Sequence, residues 1–530
     1  MRQINYQLPY ASQRSPVLAP NMVSTSQPLA AQAGLRMLLA GGNAVDAALA
    51  SAIALTVVEP TGNGIGSDAF AIVWDGEQLH GLNGSGHSPA AWTPDRFASH
   101  ERMPSRGWSS VTVPGAVAAW AALSKRFGTL PFEALFEPAI GYARHGFPVS
   151  PIIAGLWGRI AQKYRGQPGF DEVFLPSGLA PGAGELFRNS DLAETLELIA
   201  ATRGEALYRG PLAHKLIDHA QAHGGLMTLD DLDAYEVSWC GTLSQRIGDV
   251  SVHQIPPNAQ GIATLIGLGI LSHTDLADHD VDSVDAMHLQ IEAMKLAFAD
   301  TEAFIADPRF MDISAEALLD ESYLKQRASL IDPLKAGDYG CGAPRQGGTV
   351  YVAAADAKGM MVSFIQSNYE GFGSGIVVPG TGISLQNRGM GFSLTPGHPN
   401  QVGPRKRPFH TIIPGFIMKN ERPLMSFGLM GGPMQAQGQL QLVVRTQLFH
   451  QNPQAASDAP RWQIVHGRKL MVEAAMPDHI VNGLAERGHI LQREAPEAAF
   501  AFGGAQLIER SGSGYIGGSD HRKDGMAVGF

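Results

Sequence analysis

GDYGCGAPRQGG-TVYVAAADAKGMMVSFIQS, residues 337–367, changes character at a single bond. Up to Gly348 the stretch is rich in glycine and has no hydrophobic period, which predicts a loop or linker. From Thr349 onward, two apolar runs, 349–355 and 360–367, flank Asp356-Ala357-Lys358-Gly359. That pattern predicts a β-hairpin. With a four-residue turn, Ala355 faces Met360 and Thr349 faces Gln366, with Ser367 beside it. A second hydroxyl therefore returns to the head of the first strand.

Gly-Gly-Thr at the head of a strand has a chemical use. The Thr349 hydroxyl can attack the carbonyl of Gly348, and hydrolysis of the resulting ester frees the α-amine of Thr349. Such an amine has a pKa near ~8, so it can serve as base for its own side chain. The next requirement is a pair of donors for the oxyanion. Gly431-Gly432 in FGLMGGPMQAQG (427–438) is the candidate, because glycine amides approach a ligand without Cβ interference. Most Gly-Gly pairs are turns and most strand threonines pack, so this local motif is by itself a weak signal.

Working outward, residues 27–40 carry apolar residues at helical spacing and stop at Gly41-Gly42. Asn43 caps a second, Ala-rich helix that ends at Glu59-Pro60. The run Gly62-Asn63-Gly64-Ile65-Gly66 lacks the Gly-Lys-Ser/Thr of a phosphate loop and reads as a structural turn. A strand, Ala69 to Trp74, turns at Asp75-Gly76 into a second short strand. Further helices are expected over 114–126, 132–145, 190–202 and 282–305. After 349 short apolar runs (411–418, 424–429, 470–473) keep a β-rich character.

The composition narrows the function class. Of 530 residues, 44% are hydrophobic and 17% charged, which excludes a disordered polyelectrolyte. The net charge is −10 and the densest basic cluster is Arg405-Lys406-Arg407, too little for a nucleic-acid-binding face. Two cysteines, Cys240 and Cys341, cannot build a disulfide framework or a Cys-rich zinc site, and they suggest a reducing compartment. The first 20 residues lack a signal-peptide core, and Val45–Val58 contains Asp46 and is too short to span a bilayer. A cytoplasmic protein with no membrane or nucleic-acid partner is expected. No compact metal-ligand spacing occurs, so neither metal nor cofactor is expected. The sequence leaves a homo-oligomer open.

Several motifs occur together: GGNAVDAALASAIALTVVEP (41–60), VTVPGAVAAW (111–120), GTVYVAAADAKG (348–359), GFGSGIVVPGTGISLQNRGMGFS (371–393), GPRKRP (403–408), FGLMGGP (427–433) and GGSDHRKDGMAVGF (517–530). In that order they resemble the γ-glutamyltranspeptidase family of N-terminal-nucleophile hydrolases, across nearly the whole chain. The resemblance implies a four-layer αββα sandwich, an α/β fold. It also implies a precursor cut into a large, helix-rich fragment (1–348) and a small, β-rich fragment (349–530) that form one folded unit. It places Thr349 at the nucleophile and Ser367 where the family has a supporting threonine. Gly431 and Gly432 fall on the oxyanion pair.

The substrate-binding positions depart from that pattern. Where the family holds a γ-glutamyl carboxylate with arginine, this chain has Ser85, in NGSGHSP. Where it holds the ammonium, this chain reads Tyr369, Arg388 and Gly391, and a serine pair becomes His410-Thr411. An ammonium would meet the Arg388 cation, a like-charge contact costing several kcal/mol at an effective dielectric of ~20. Arg388 suits a carboxylate instead, although a surface ion pair is the competing reading. The implied substrate is a small-molecule amide whose acyl group carries a carboxylate and no ammonium, such as oxamate or a glutaryl amide. An oxamate-like substrate is the first expectation; the rivals are γ-glutamyl hydrolysis or transfer on glutathione, a glutaryl-cephalosporin-type acylase, and an unprocessed, inactive binding protein. His87 and His410 are further candidate contacts, each more readily explained as a satisfied structural histidine. Tyr369 either lines the pocket or packs. Lys406 and Arg407 read as structural salt-bridge partners, and Cys341 as uninvolved in catalysis.

Overall fold

A computed structural model describes residues 13–339 and 348–530; Cys341 lies outside them. The expected hairpin forms from strands Gly348–Ala355 and Met361–Tyr369. Its register differs by one residue from the sequence expectation: Ala355 pairs with Met361 and Val350 with Gln366. The connection is a five-residue loop rather than a four-residue turn. The Asp356 amide donates to the Met360 carbonyl at 3.1 Å, while the Asp356 carboxylate accepts from the Lys358 and Met360 amides. Asp356 thus holds an extra residue in the loop. At the open end Gly348 pairs with Tyr369, so the ladder shifts again across Thr349.

This hairpin sits in the middle of a seven-stranded antiparallel sheet. Its neighbours are Met22–Thr25 on one side and Asp68–Trp74, then Leu79–Gly84, on the other. A second seven-stranded antiparallel sheet carries Val250–Gln254, Gly415–Lys419, Arg422–Met430, Gly504–Ser511 and Gly514–Ser519 in its interior. Both sheets draw strands from either side of the 348–349 bond.

Strand alternation decides which face meets what. Val350, Val352 and Ala354 belong to the core shared with helices Pro28–Leu39 and Ala44–Val58. Tyr351, Ala353 and Ala355 point the other way, into the core with Phe427 and Leu507 of the second sheet. There the Tyr351 ring lies against Gly428, where an added Cβ would come within 2.2 Å. Helices Gly261–Leu271, Val284–Phe304 and Met434–Val443 cover the outer face of the second sheet. The layers are helix, sheet, sheet, helix: an α/β sandwich of the N-terminal-nucleophile hydrolase kind, as the motif series implies.

The first two helices follow their sequence signals. Asn43 caps Ala44–Val58, accepting from Val45 and Asp46, and the Asp46 carboxylate returns to the Asn43 amide in a capping box. All fifteen residues of that helix are buried. Its Ala-rich surface permits the close crossing expected of it, since a Cβ on Gly34 of the preceding helix would meet Ser51 Oγ at 2.3 Å. The expected 132–145 helix is a 3-10 turn, Phe132–Phe136, followed by Glu137–His145, with Pro138 in the first turn of the latter. Helices at 116–127, 190–202 and 284–304 match their expected positions closely. Among the described residues no helix is long and apolar enough to cross a membrane.

Candidate active site

Thr349 is 1% exposed at the start of the central strand. Its hydroxyl donates to Ser367 Oγ at 3.2 Å and accepts from Gln435 Nε2 at 3.3 Å. Ser367 Oγ also accepts from the Tyr369 amide at 2.8 Å, so it is held from two sides. The one-residue register change brings Ser367 to Thr349. Tyr369 has a positive φ of 81°, an uncommon conformation for a large residue. It turns the chain at the end of the strand, and its ring lies 4.7 Å from the Arg388 guanidinium carbon.

Arg388 begins the 3-10 turn Arg388–Gly391 and is 1% exposed, which excludes the surface ion pair. Its Nη1 donates to Thr411 Oγ1 at 2.8 Å. Its Nε and Nη2 have no hydrogen-bond partner among the described residues. Burial pulls its pKa down to about 10, opposed by the Asp68 charge, so it remains a cation at neutral pH.

From Thr411 the contacts lead back to Thr349. Gln260 Nε2 donates to the carbonyls of Thr411 and Gly432. Gly431 and Gly432 join strand Arg422–Met430 to helix Met434–Val443, with φ of 132° and 61°, a region that favours glycine. Among the described residues no acceptor is found for either glycine amide. Three residues on, Gln435 accepts from the Ile413 amide and donates to Thr349. A closed circuit of contacts therefore runs from Thr349 through Ser367, Tyr369, Arg388, Thr411, Gln260 and the Gly431-Gly432 turn to Gln435.

His410 is fully buried and faces Asp68, with Nε2 and Oδ2 3.0 Å apart. Burial, then Arg388 and Arg407, push its pKa well below the usual value, so the ring is neutral. Burial raises the Asp68 pKa to about 7, against the opposing pull of Arg388 and of the Gly86 and Gly115 amides.

Other expected residues lie elsewhere. The Ser85 hydroxyl is bonded to Asn83 at 2.7 Å and to Asn258 at 3.3 Å; Asn258 in turn donates to the Pro408 carbonyl. Ser85 thus braces the segment leading to His410. His87 bonds the Ser88 carbonyl and lines a separate cavity with Arg309, Arg405 and Arg407. Lys406 donates to the carbonyls of Pro399 and Gln401, and Arg407 to Ser238 Oγ, so both brace loops without an ion pair among the described residues. At Gly391 a Cβ would meet the Phe409 carbonyl oxygen at 2.6 Å, leaving no room for an acidic side chain.

Three contributors carry little sequence signal. Gln435 is one of several glutamines in its segment, and Asp68 is a single acid entering an apolar strand. Gly62 packs on the backbone of Thr349, 3.2 Å from its nitrogen to an added Cβ, so the expected structural turn supports the site itself. Away from the site, His288, Glu292 and His489 gather ligand-type atoms within 4.8 Å. Lys295 Nζ, 2.5 Å from Glu292 Oε1, already supplies the cation there.

A family profile described as gamma-glutamyltranspeptidase matches residues 30–530. The chain belongs to the gamma-glutamyltranspeptidase family. Members of that family share its whole length. The glutathione hydrolase-like YwrD proenzyme of Bacillus subtilis is 38% identical, over 98% of this chain and all of the relative. The oxamate amidohydrolase proenzyme of Klebsiella pneumoniae is 36% identical, over 95% of this chain and 97% of that one. The crystal structure of a cephalosporin acylase from Bacillus halodurans superposes with a TM-score of 0.95 at 46% identity, covering 100% of this chain and 99% of that chain. As a gamma-glutamyltranspeptidase family member with hydrolase and acylase relatives, the protein is an enzyme acting on amide C–N bonds.

Proposed function

We propose that the chain cuts itself between Gly348 and Thr349, and that Thr349 then hydrolyses amides whose acyl group carries a carboxylate. The observation that carries the substrate half is Arg388: a buried cation with two donors unused, in the same circuit of contacts as Thr349.

In maturation, the Thr349 hydroxyl attacks the Gly348 carbonyl, the C–N bond breaks and an ester forms. Water then releases the Gly348 carboxylate and the free Thr349 amine. In turnover, that amine takes the hydroxyl proton as Oγ1 attacks the substrate carbonyl. The amides of Gly431 and Gly432, ahead of a helix N-terminus, receive the oxyanion. Collapse expels the amine, which takes the proton, and water hydrolyses the acyl-enzyme. Ser367 and Gln435 hold Oγ1 from two directions.

Two features disfavour a γ-glutamyl head group. The ammonium would meet Arg388, and Gly391 has no room for an acidic partner. Oxamate satisfies the charge requirement, and so does a glutaryl amide. A specific observation favours including the second. A cavity of about 880 Å³, lined by His100–Ser105, Met390 and Phe392, opens beside Tyr369 and can take a bulky leaving amine. Amine release from oxamate, a glutaryl anilide and glutathione, assayed side by side, tests the reading. Preference for glutathione would overturn it.

A further inference from the structure

The buried charges around Arg388 do not balance once a carboxylate arrives. Arg388 and Asp68 are both fully enclosed, and their opposite charges offset each other. Asp68 lies opposite Ser367 in the sheet, one strand from the nucleophile. Its Oδ1 accepts from the Gly115 amide at 3.1 Å, and its Oδ2 faces His410 Nε2. His410 Nδ1 accepts from the Ile412 amide at 3.4 Å, which leaves the ring proton on Nε2, donated to Asp68. The other groups facing Asp68 are the Arg407 cation and the phenols of Tyr208 and Tyr235, both pushed up by burial and neutral.

With the site empty, Asp68 carboxylate and Arg388 guanidinium sum to no charge. A substrate carboxylate on Arg388 Nε and Nη2 would leave one uncompensated negative charge among the enclosed groups, because Arg407 is only half-buried, lines the separate cavity with His87 and is screened there by water. Such a charge is costly to bury. His410 cannot supply a compensating proton, because burial and two arginines hold it neutral. Asp68 can take one.

We propose that Asp68 sets the charge the acyl pocket accepts: a single carboxylate binds Arg388 together with a proton taken up by Asp68. This rests on the reading of Arg388 as carboxylate anchor and adds to it a positioning residue that acts through Arg388. Burial already brings Asp68 to about pH 7, and Arg388 is its largest source of stabilisation as an anion. Sharing Arg388 with a ligand removes part of that stabilisation, so the proton affinity of Asp68 rises on binding.

The sign follows. Below about pH 7 the proton is already in place and affinity for a carboxylate is constant. Above it, affinity falls by about tenfold per pH unit, to about a hundredfold by pH 9. Arg388, with its pKa near 10, stays charged across that range.

The test uses the matured enzyme hydrolysing a glutaryl anilide, with pentanoate as competitive inhibitor and pentanamide as its neutral counterpart. The inhibition constant of pentanoate is expected to weaken about a hundredfold from pH 6 to pH 9, while that of pentanamide stays within about threefold. In Asp68→Asn the pentanoate constant is expected to lose its pH dependence, whereas any contribution from the Thr349 amine would persist. Parallel profiles for pentanoate and pentanamide in the unaltered enzyme would overturn the proposal, whether or not the variant folds. If pentanoate fails to inhibit at every pH, or Arg388→Met leaves its inhibition unchanged, the anchor reading itself fails. If Arg388→Met abolishes inhibition but the pentanoate profile is flat, only the coupling to Asp68 fails.

Discussion

Replacing Arg388 by methionine separates binding of the carboxylate from the chemistry at Thr349. Methionine keeps an unbranched apolar stem against Tyr369 but removes the charge and every donor. Two of those donors, Nε and Nη2, have no partner within the described protein and are available to a ligand. A hydrogen bond to a charged group contributes about 1.5–3 kcal/mol, so losing two costs about 3–6 kcal/mol of transition-state binding. At 1.4 kcal/mol per tenfold, kcat/KM for a glutaryl anilide should fall by roughly 10²–10⁴ relative to that for a pentanoyl anilide of the same chain length. The ratio of the two substrates is the readout, because it cancels any general loss of active enzyme. The fold should tolerate the change. Removing the guanidinium takes Arg388's charge away from Asp68, whose pKa rises and whose carboxyl becomes neutral. Thermal unfolding should therefore move by only a few degrees. Equal losses on the two anilides would refute the reasoning, since they would mean Arg388 supports the site without touching the acyl carboxylate.

Thr349→Ala should leave a single intact chain on denaturing electrophoresis, where the unaltered protein is expected to give fragments of 348 and 182 residues; two bands from the variant would exclude Thr349 as the cleaving group. Ser367→Ala removes the acceptor for both Thr349 Oγ1 and the Tyr369 amide, and should slow maturation and turnover by about 10–100-fold, at 1–3 kcal/mol per lost buried partner; unchanged cleavage kinetics would count against its supporting role. Gly64→Ala would put a Cβ 2.0 Å from Ser384 Oγ, and should lower the unfolding midpoint and impair cleavage by displacing the loop that carries Gly62; retention of both would show that the loop yields freely. Asp520 makes the sign of one pH effect explicit. Burial would raise its pKa, but Arg461 and Arg522 outweigh that and hold it well below the ordinary carboxylate range. Its stabilisation is complete above the unfolded-state value and is lost as pH falls below it, so Asp520→Asn should cost about 3–5 kcal/mol at pH 7 and flatten the acid limb of the stability profile.

Much of the site was legible before the fold was known, but unevenly. The break at 348–349, the hairpin, Ser367 beside Thr349 and the glycine pair all lie in short segments that the motif series made specific. The hairpin register did not. A turn of four residues and a loop of five differ only in whether the Asp356 carboxylate caps the loop, which depends on where neighbouring elements hold that aspartate. Its Oδ2 also accepts from the amide of Ala44, 312 residues away in sequence. Arg388 was readable as a departure from the family pattern. Whether it sat at the surface or inside was a question of burial, which a single arginine between Asn387 and Gly389 cannot answer. His87 illustrates the converse: near Ser85 in sequence, it turns into a different cavity.

The amino-acid sequence pointed to an amide-cleaving enzyme through seven motifs in one order, which are jointly specific where Gly-Gly-Thr alone is not. The same motif series implied the layers, and the structure shows Val350, Val352 and Ala354 facing one core and Tyr351, Ala353 and Ala355 the other. What surrounds Thr349 is set by contacts between segments far apart in the chain. Gln435, Arg388 and the stretch carrying Gly62 and Asp68 come from three distant segments, and none has a periodicity that would point to a common site. Charge is the physical reason. The ionisation of Asp68 and Arg388 depends on burial and on each other, and both are properties of the folded arrangement rather than of any stretch of chain.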